Sequence, residues 1–219
     1  MTSSLKAYRG IGMEGSIARW YDRITRRDRP EMQALAVRIA AVTAAGSTVL
    51  EVAPGPGFLA IELARRGLNV HGVDISKTLV EIARRNAREE GVQPYFQLGN
   101  AAALPMEDET VDFVVCRAAF KNFSEPVKAL REMRRVLRPG GTALLIDMRR
   151  DVTPADIQDY VNRMEVGWLN RALITLTFRH MLVPRAYRIE DIRRMTAEAG
   201  WPEVRIEKAP LGFEAWMKK

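Results

Sequence analysis

Nine residues, Val49-Leu50-Glu51-Val52-Ala53-Pro54-Gly55-Pro56-Gly57, restrict the fold of this chain more than any other stretch. An apolar run that reads as a buried strand meets a loop of small and rigid residues, and a helical pattern follows from Phe58 to Arg66. In a parallel α/β sheet such a turn lies at the carboxyl edge of the first strand, where ligands bind. Glycine at Gly55 and Gly57 lets backbone approach a ligand, and the following helix presents free N–H groups there. The next apolar strand, Asn69-Val70-His71-Gly72-Val73-Asp74, ends on a carboxylate placed to accept both hydroxyls of a ribose.

From Thr48 onward strand and helix patterns alternate, which calls for a parallel sheet with right-handed crossovers. Ser76 reads as the N-cap of a helix whose Leu79, Ile82, Ala83 and Ala87 face inward, and Gly91 ends it. Further strands are expected at Pro94 to Leu98, Thr110 to Cys116 and Thr142 to Asp147. Pro126 opens a helix with Val127, Leu130, Met133 and Leu137 on one face. Ahead of the glycine turn, Ser16 is an N-cap candidate, and Met32, Leu35, Ala36, Ile39 and Ala40 form a stripe at helical spacing. Trp20 and Tyr21 read either as a lid over the glycine loop or as packing residues.

At 219 residues, with 47% hydrophobic and 28% charged residues, the totals suit one soluble domain with an elaboration. No window reaches a membrane-spanning length, so no membrane insertion is expected. The start, Met1 to Lys6, lacks a signal-peptide core, and the single Cys116 cannot form an internal disulfide; the expected location is cytoplasmic. A formal charge of +7 raises the question of nucleic acid. The paired arginines from Arg26-Arg27 to Arg193-Arg194 are scattered over different elements, so they read as solvated surface and a nucleic-acid partner is disfavoured.

Glu51 with Ala53, Gly55 and Gly57, then Asp74, then Gly99-Asn100-Ala101 with Leu104-Pro105, then Asp112-Phe113-Val114, resemble the class I S-adenosylmethionine-dependent methyltransferases. Ala129 to Met133 with Val136 to Gly141 continue the resemblance in register to Asp147, and Tyr187 to Lys219 is similar to that family's closing helix and hairpin. The resemblance implies an α/β fold: a Rossmann-like, seven-stranded, mostly parallel sheet with an antiparallel last strand, helices on both faces and a helical cap. It divides the chain into covering helices (1–46), a cofactor-binding core (47–150), a cap insert (151–186) and the closing helix and hairpin (187–219). By position, Ala53, Gly55 and Gly57 would line the cofactor's methionine end, Glu51 would orient the loop and the ammonium, and Asp74 would hold the ribose. Ile75 would pack on the adenine, with Asn100 accepting from its amino group and Ala101 offering a backbone N–H; Tyr21 and Arg117 complete the expected cofactor set. The family usually has glycine where Ala53 stands, and alanine is expected there only with negative φ. Asn100 replaces the usual aspartate.

Around Lys121 and Asn122 the chain is most similar to the ubiquinone and menaquinone biosynthesis C-methyltransferases. A solvated Lys121 and a turn-capping Asn122 are the plain alternative. The Asn/Asp-Pro-Pro-aromatic signature of base-amino methyltransferases is missing, and Cys116 reads as a packed thiol. The expected reaction is methyl transfer from S-adenosylmethionine to a small, largely apolar or aromatic acceptor by in-line displacement, with no metal. Methylation of RNA or protein, and a non-catalytic cofactor-binding module, are the alternatives. Asp147 and His180 are the general-base candidates, with Tyr160 and Glu165 nearby; His71 reads as structural. The apolar run Val166 to Leu182 is expected to be buried as a cap, either as a helix packed on the domain edge or, the favoured reading, with an inner face that walls an acceptor pocket together with Met13, Trp20 and Tyr21. Acceptor identity, the atom attacked and the oligomeric state are left open.

Overall fold

The structure, a computed structural model, describes residues 8–9, 12–162 and 167–219. Glu165 and Val166, and the amino-terminal stretch Met1 to Lys6, lie outside the described residues. Seven strands form one sheet: β1 (Thr48–Val52), β2 (Asn69–Asp74), β3 (Tyr95–Leu98), β4 (Val111–Arg117), β5 (Leu137–Met148), β6 (Glu203–Lys208) and β7 (Gly212–Lys218). Their order is β3-β2-β1-β4-β5-β7-β6. β1 to β5 run parallel, and β7 lies antiparallel to both β5 and β6. The chain fills the sheet outward from β1 to β3, then returns to place β4 on the other side of β1. The carboxyl ends of β1 and β4 therefore flank a switch in strand order, the crevice where such sheets bind ligands.

Successive strand residues point to opposite faces, so strands buried on both sides read as unbroken apolar runs. Val49, Phe113, Val115 and Leu144 pack under the helices α2 (Arg29–Ala40), α3 (Phe58–Ala64) and α4 (Lys77–Glu89). Leu50, Val52, Val114 and Leu145 pack on the other face, under α5 (Pro126–Val136) and α8 (Ile189–Glu198). Each large apolar side chain so buried contributes roughly 1.5–3 kcal/mol. Cys116 is buried among them and burial pushes its thiol well above the usual range, so it is inert packing. His71 is half-buried and lies edge-on to Tyr95, which agrees with a structural role.

Ser76 caps α4, its hydroxyl accepting from Leu79 N at 3.0 Å, as its sequence position implies. The helix before it corrects another expectation: α1 (Gly15–Thr25) starts one residue ahead of Ser16 and is preceded by Glu14. The Glu14 carboxylate instead accepts from the first N–H groups of α4, those of Lys77 and Thr78. Leu137 likewise is not on the α5 face, because the helix stops at Val136 and Leu137 opens β5.

Two further helices, α6 (Pro154–Asn162) and α7 (Trp168–Thr177), follow the sheet's fifth strand. A reciprocal box starts α6, Asp156 N donating to Thr153 Oγ1 and Thr153 N to the Asp156 carboxylate. Ile157 and Val161 are buried with Leu211, and Tyr160 meets Phe178 edge-on at 5.7 Å. The expectation of a buried cap run fails on α7: Trp168 is 76% exposed, and Leu173 and Leu176 also face outward. Ile174 of this helix packs against the Ile157–Val161–Leu211 cluster, while its outward apolar side chains meet water.

Candidate active site and cofactor pocket

Beyond β1 the chain turns through Ala53 to Gly57, and beyond β4 it turns at Ala118. Both turns use left-handed backbone at alanine, with φ of +58° at Ala53 and +57° at Ala118. The expectation of negative φ at Ala53 is thus overturned. Two hydrogen bonds hold the turn in place: Ala53 N donates to Val73 O at 2.8 Å, and Gly55 N to Asp74 Oδ2 at 3.0 Å. A non-glycine residue in this region costs about 1–2 kcal/mol, and such strain survives only where the surroundings dictate it. Gly57 is required by packing, since a Cβ there would sit 2.8 Å from Phe96 Cζ and 2.9 Å from Ala83 Cβ.

A pocket of about 60 Å³ opens between these turns, lined by Glu51, Ala53, Gly55, Arg117 and Ala118, with Tyr21 on its far wall. The Tyr21 ring lies against Gly55, with Cε1 3.5 Å from where a Cβ would be. Helix α1 brings it there because buried Asp22 accepts from Asn86 Nδ2 at 3.0 Å, and the same amide donates to Pro56 O. One buried asparagine therefore ties α1, α4 and the glycine turn together. Trp20, beside Tyr21, is 56% exposed and is not among the residues lining the pocket.

Glu51 is the chemically informative group. It is buried, and its Oε2 has no hydrogen-bond partner among the described residues. Burial pushes its carboxyl up to about 8, against the Ala60 backbone and the Arg117 guanidinium, while Asp74 adds to the rise. A buried carboxyl with one oxygen unpartnered carries an unmet demand for a donor or cation on the pocket wall. Asp74 is also buried, with Oδ1 accepting from Ser76 N at 2.9 Å and Oδ2 from Gly55 N; burial raises it to about 6. Arg117 reaches out of the sheet to pair with Glu31 of α2 at 2.9 Å.

The other expected cofactor residues lie along the same edge. Ile75 is partly exposed after β2. Asn100 and Ala101 form the turn after β3, where Asn100 Oδ1 accepts from Ala102 N at 2.9 Å, so this side chain first stabilises its own turn. Neither base candidate is free at the pocket. Asp147 accepts from Lys121 Nζ at 2.8 Å, Lys121 N at 2.9 Å and Met148 N at 2.7 Å, and is buried. Lys121 is equally committed, its ammonium also donating to Ala118 O, which removes the reading of it as solvated. His180 is exposed in the turn Phe178–Leu182 and borders neither cavity, and Glu165 is outside the described residues.

A second, wider cavity of about 350 Å³ was not legible in the sequence. It lies across the short turn Phe120–Asn122 and is lined by Arg9, Lys121, Arg150, Arg185, Tyr187 and Arg194 among others. Of the paired arginines only Arg150 and Arg194 line it, where they meet Arg9, Lys121 and Arg185.

This fold, with a buried carboxyl at the end of β1 and another at the end of β2, defines an α/β protein with its pocket at the carboxyl edge of the sheet. Comparison with known proteins agrees: the methyltransferase domain family matches residues 50–145. A demethylmenaquinone methyltransferase from Renibacterium salmoninarum is 31% identical over 181 residues, 78% of this chain and 73% of that protein. The uncharacterized methyltransferase YcgJ of Bacillus subtilis is 30% identical over 174 residues, covering 78% of this chain and 64% of YcgJ. A solved structure from Methanococcus maripaludis, assigned as an S-adenosyl-L-methionine-dependent methyltransferase, shares the fold. Its TM-score is 0.72 at 21% identity, over 96% of this chain and 95% of that one. The chain belongs to the class I S-adenosylmethionine-dependent methyltransferases. It spans about half the length of several other curated quinone methyltransferases that it matches. The residues present fit the family cofactor: its ammonium would answer the orphaned Glu51 oxygen on the pocket wall.

Proposed function

We propose that this protein transfers a methyl group from S-adenosylmethionine to a small acceptor with a flat, largely apolar or aromatic body. The unpartnered buried carboxyl of Glu51 at the strained turn carries the reading. When bound, the cofactor supplies an electrophilic methyl on a sulfonium, which needs a positioned nucleophile and no metal. Glu51 would hold the ammonium, Ala53, Gly55 and Gly57 would lie along the methionine end, and Asp74 would take the ribose hydroxyls. Ile75, Asn100 and Ala101 would border the adenine, and Tyr21 and Arg117 would close the pocket from α1 and β4.

The committed carboxylate of Asp147 and the exposed ring of His180 argue against a dedicated base. An acceptor that is itself acidic, such as a phenol or an enol, needs none. The relatives named for methylation of demethylmenaquinone and of 2-phytyl-1,4-naphtoquinone support a small aromatic acceptor class. Among the described residues no helix is long and apolar enough to cross a membrane. Isothermal titration with S-adenosylhomocysteine tests the reading: one site per chain, lost in Asp74→Ala, is expected. Absent binding, or binding unchanged in Asp74→Ala, overturns it.

A further inference from the structure

The wider cavity carries more positive charge than its surroundings neutralise. Lys121 is answered by Asp147, and Arg194 by Asp191 at 2.9 Å. Arg9 donates only to neutral acceptors, Ser124 O at 3.2 Å and the Tyr187 hydroxyl at 3.5 Å. The Arg150 and Arg185 side chains have no ion-pair or hydrogen-bond partner among the described residues. Three guanidiniums thus converge on about 350 Å³ with no carboxylate of their own, at the low end of the size of small-molecule sites. Like charges held together in this way repel one another unless an anion sits between them. Backbone hydrogen bonds hold the segments that carry two of them: Arg9 N donates to Asn122 O at 2.8 Å, and Arg150 N to Tyr187 O at 2.9 Å.

This cavity adjoins the cofactor pocket. The turn from Ala118 to Asn122 borders both, with Ala118 lining one and Lys121 and Asn122 the other. The half-buried Tyr8 phenol interacts with Tyr21 and Asp74 on the cofactor side and with Arg185 and Asp147 on the basic side. Tyr187, which lies 5.7 Å from the Phe120 ring, adds an aromatic surface to the cavity.

We propose that the cavity is an oxyanion subsite: Arg9, Arg150 and Arg185 bind a carboxylate or phosphate group on the acceptor, and Tyr187 meets its aromatic body. The proposal rests on the methyltransferase reading above and narrows its acceptor to a small organic anion. Guanidinium forks match both oxyanions, so the two sources share one chemistry. A concave site of this size suits one small anion, whereas a nucleic-acid strand calls for a basic stripe.

The test titrates the full chain with phenyl phosphate, benzoate and neutral benzyl alcohol, each with and without saturating S-adenosylhomocysteine. One anion is expected to bind at one site per chain while benzyl alcohol does not, and the tighter of the two identifies the headgroup. Arg150→Gln and Arg185→Gln are each expected to weaken it about fivefold or more, whereas Lys128→Gln, on an exposed face of α5, leaves it unchanged. Cofactor-product affinity stays constant in all three variants, and a ternary complex forms. No binding of either anion, equal affinity in Arg150→Gln and Arg185→Gln, or displacement of the anion by S-adenosylhomocysteine overturns the subsite. A single-stranded oligonucleotide that binds more tightly than both anions and weakens in the same variants overturns it in favour of a polyanion. Anion binding that persists where S-adenosylhomocysteine fails to bind supports the subsite and sinks only the cofactor assignment.

Discussion

Replacing Glu51 with glutamine removes a titratable group whose cost can be worked from the structure. The native carboxyl lies at about 8 against a reference value of 4.5, because burial disfavours its charge. A raised value means that the folded state holds the proton more tightly than the unfolded chain. The contribution to stability is therefore full below pH 4.5 and is lost as pH climbs through about 8. Between those limits the slope approaches about 1.4 kcal/mol per pH unit, and the loss from pH 4.5 to 8 amounts to about 4 kcal/mol. Urea unfolding of wild type and Glu51→Gln across pH 5 to 8 isolates this group, since other titrations cancel in the difference. The variant is expected to gain on wild type by about 3.5 kcal/mol over that range. Cofactor binding reverses the protonation, because an ammonium favours the carboxylate. At pH 7 about 0.9 proton should leave on binding, readable as a dependence of calorimetric enthalpy on buffer ionisation. Parallel stability curves for the two proteins, or binding with no proton released, would refute the assignment of Glu51 as the cation receptor.

The remaining predictions concern the neighbouring groups. Asp147→Asn strands the Lys121 ammonium and should cost about 3–5 kcal/mol in chemical denaturation, with most of it recovered in Lys121→Met/Asp147→Leu; a large loss of turnover at unchanged stability would instead restore Asp147 as a base. Ala53→Gly relieves left-handed strain against a more flexible unfolded chain and should raise stability by up to about 1 kcal/mol, whereas a loss of that size in thermal unfolding contradicts the strain. His180→Ala should leave kcat/KM and its pH profile unchanged, as expected for an exposed ring; a vanished acidic limb would contradict this. Gly57→Ala should cost several kcal/mol in unfolding, from the Phe96 and Ala83 clashes and a φ of +83°, and a variant as stable as wild type would show that the loop yields.

Much of this arrangement could be read from residue order. The buried strands announce themselves because both faces are covered, and Ser76 and the Asp74 position follow from local rules that tertiary structure did not override. Ala53 was misread because local preference favours negative φ, while here the Val73 carbonyl and the Asp74 carboxylate dictate the turn. On α7, apolar content told nothing of which side meets water, since that depends on neighbours far away in the chain. The basic cavity shows the same limit: Arg9, Arg150 and Arg185 are spread over nearly the whole sequence, and only folding brings them together. For Lys121 the sequence leaves a solvated and a committed reading open, because the carboxylate that decides between them comes from the end of β5.

The turn that borders both cavities is short, clamped at one end by Asp147 and carrying Ala118 in an unfavourable conformation at the other. Such a short border sets the distance between whatever occupies the two compartments. Lengthening it by one residue would leave each chamber able to fill while moving their contents out of reach of one another, so occupancy and turnover would part company.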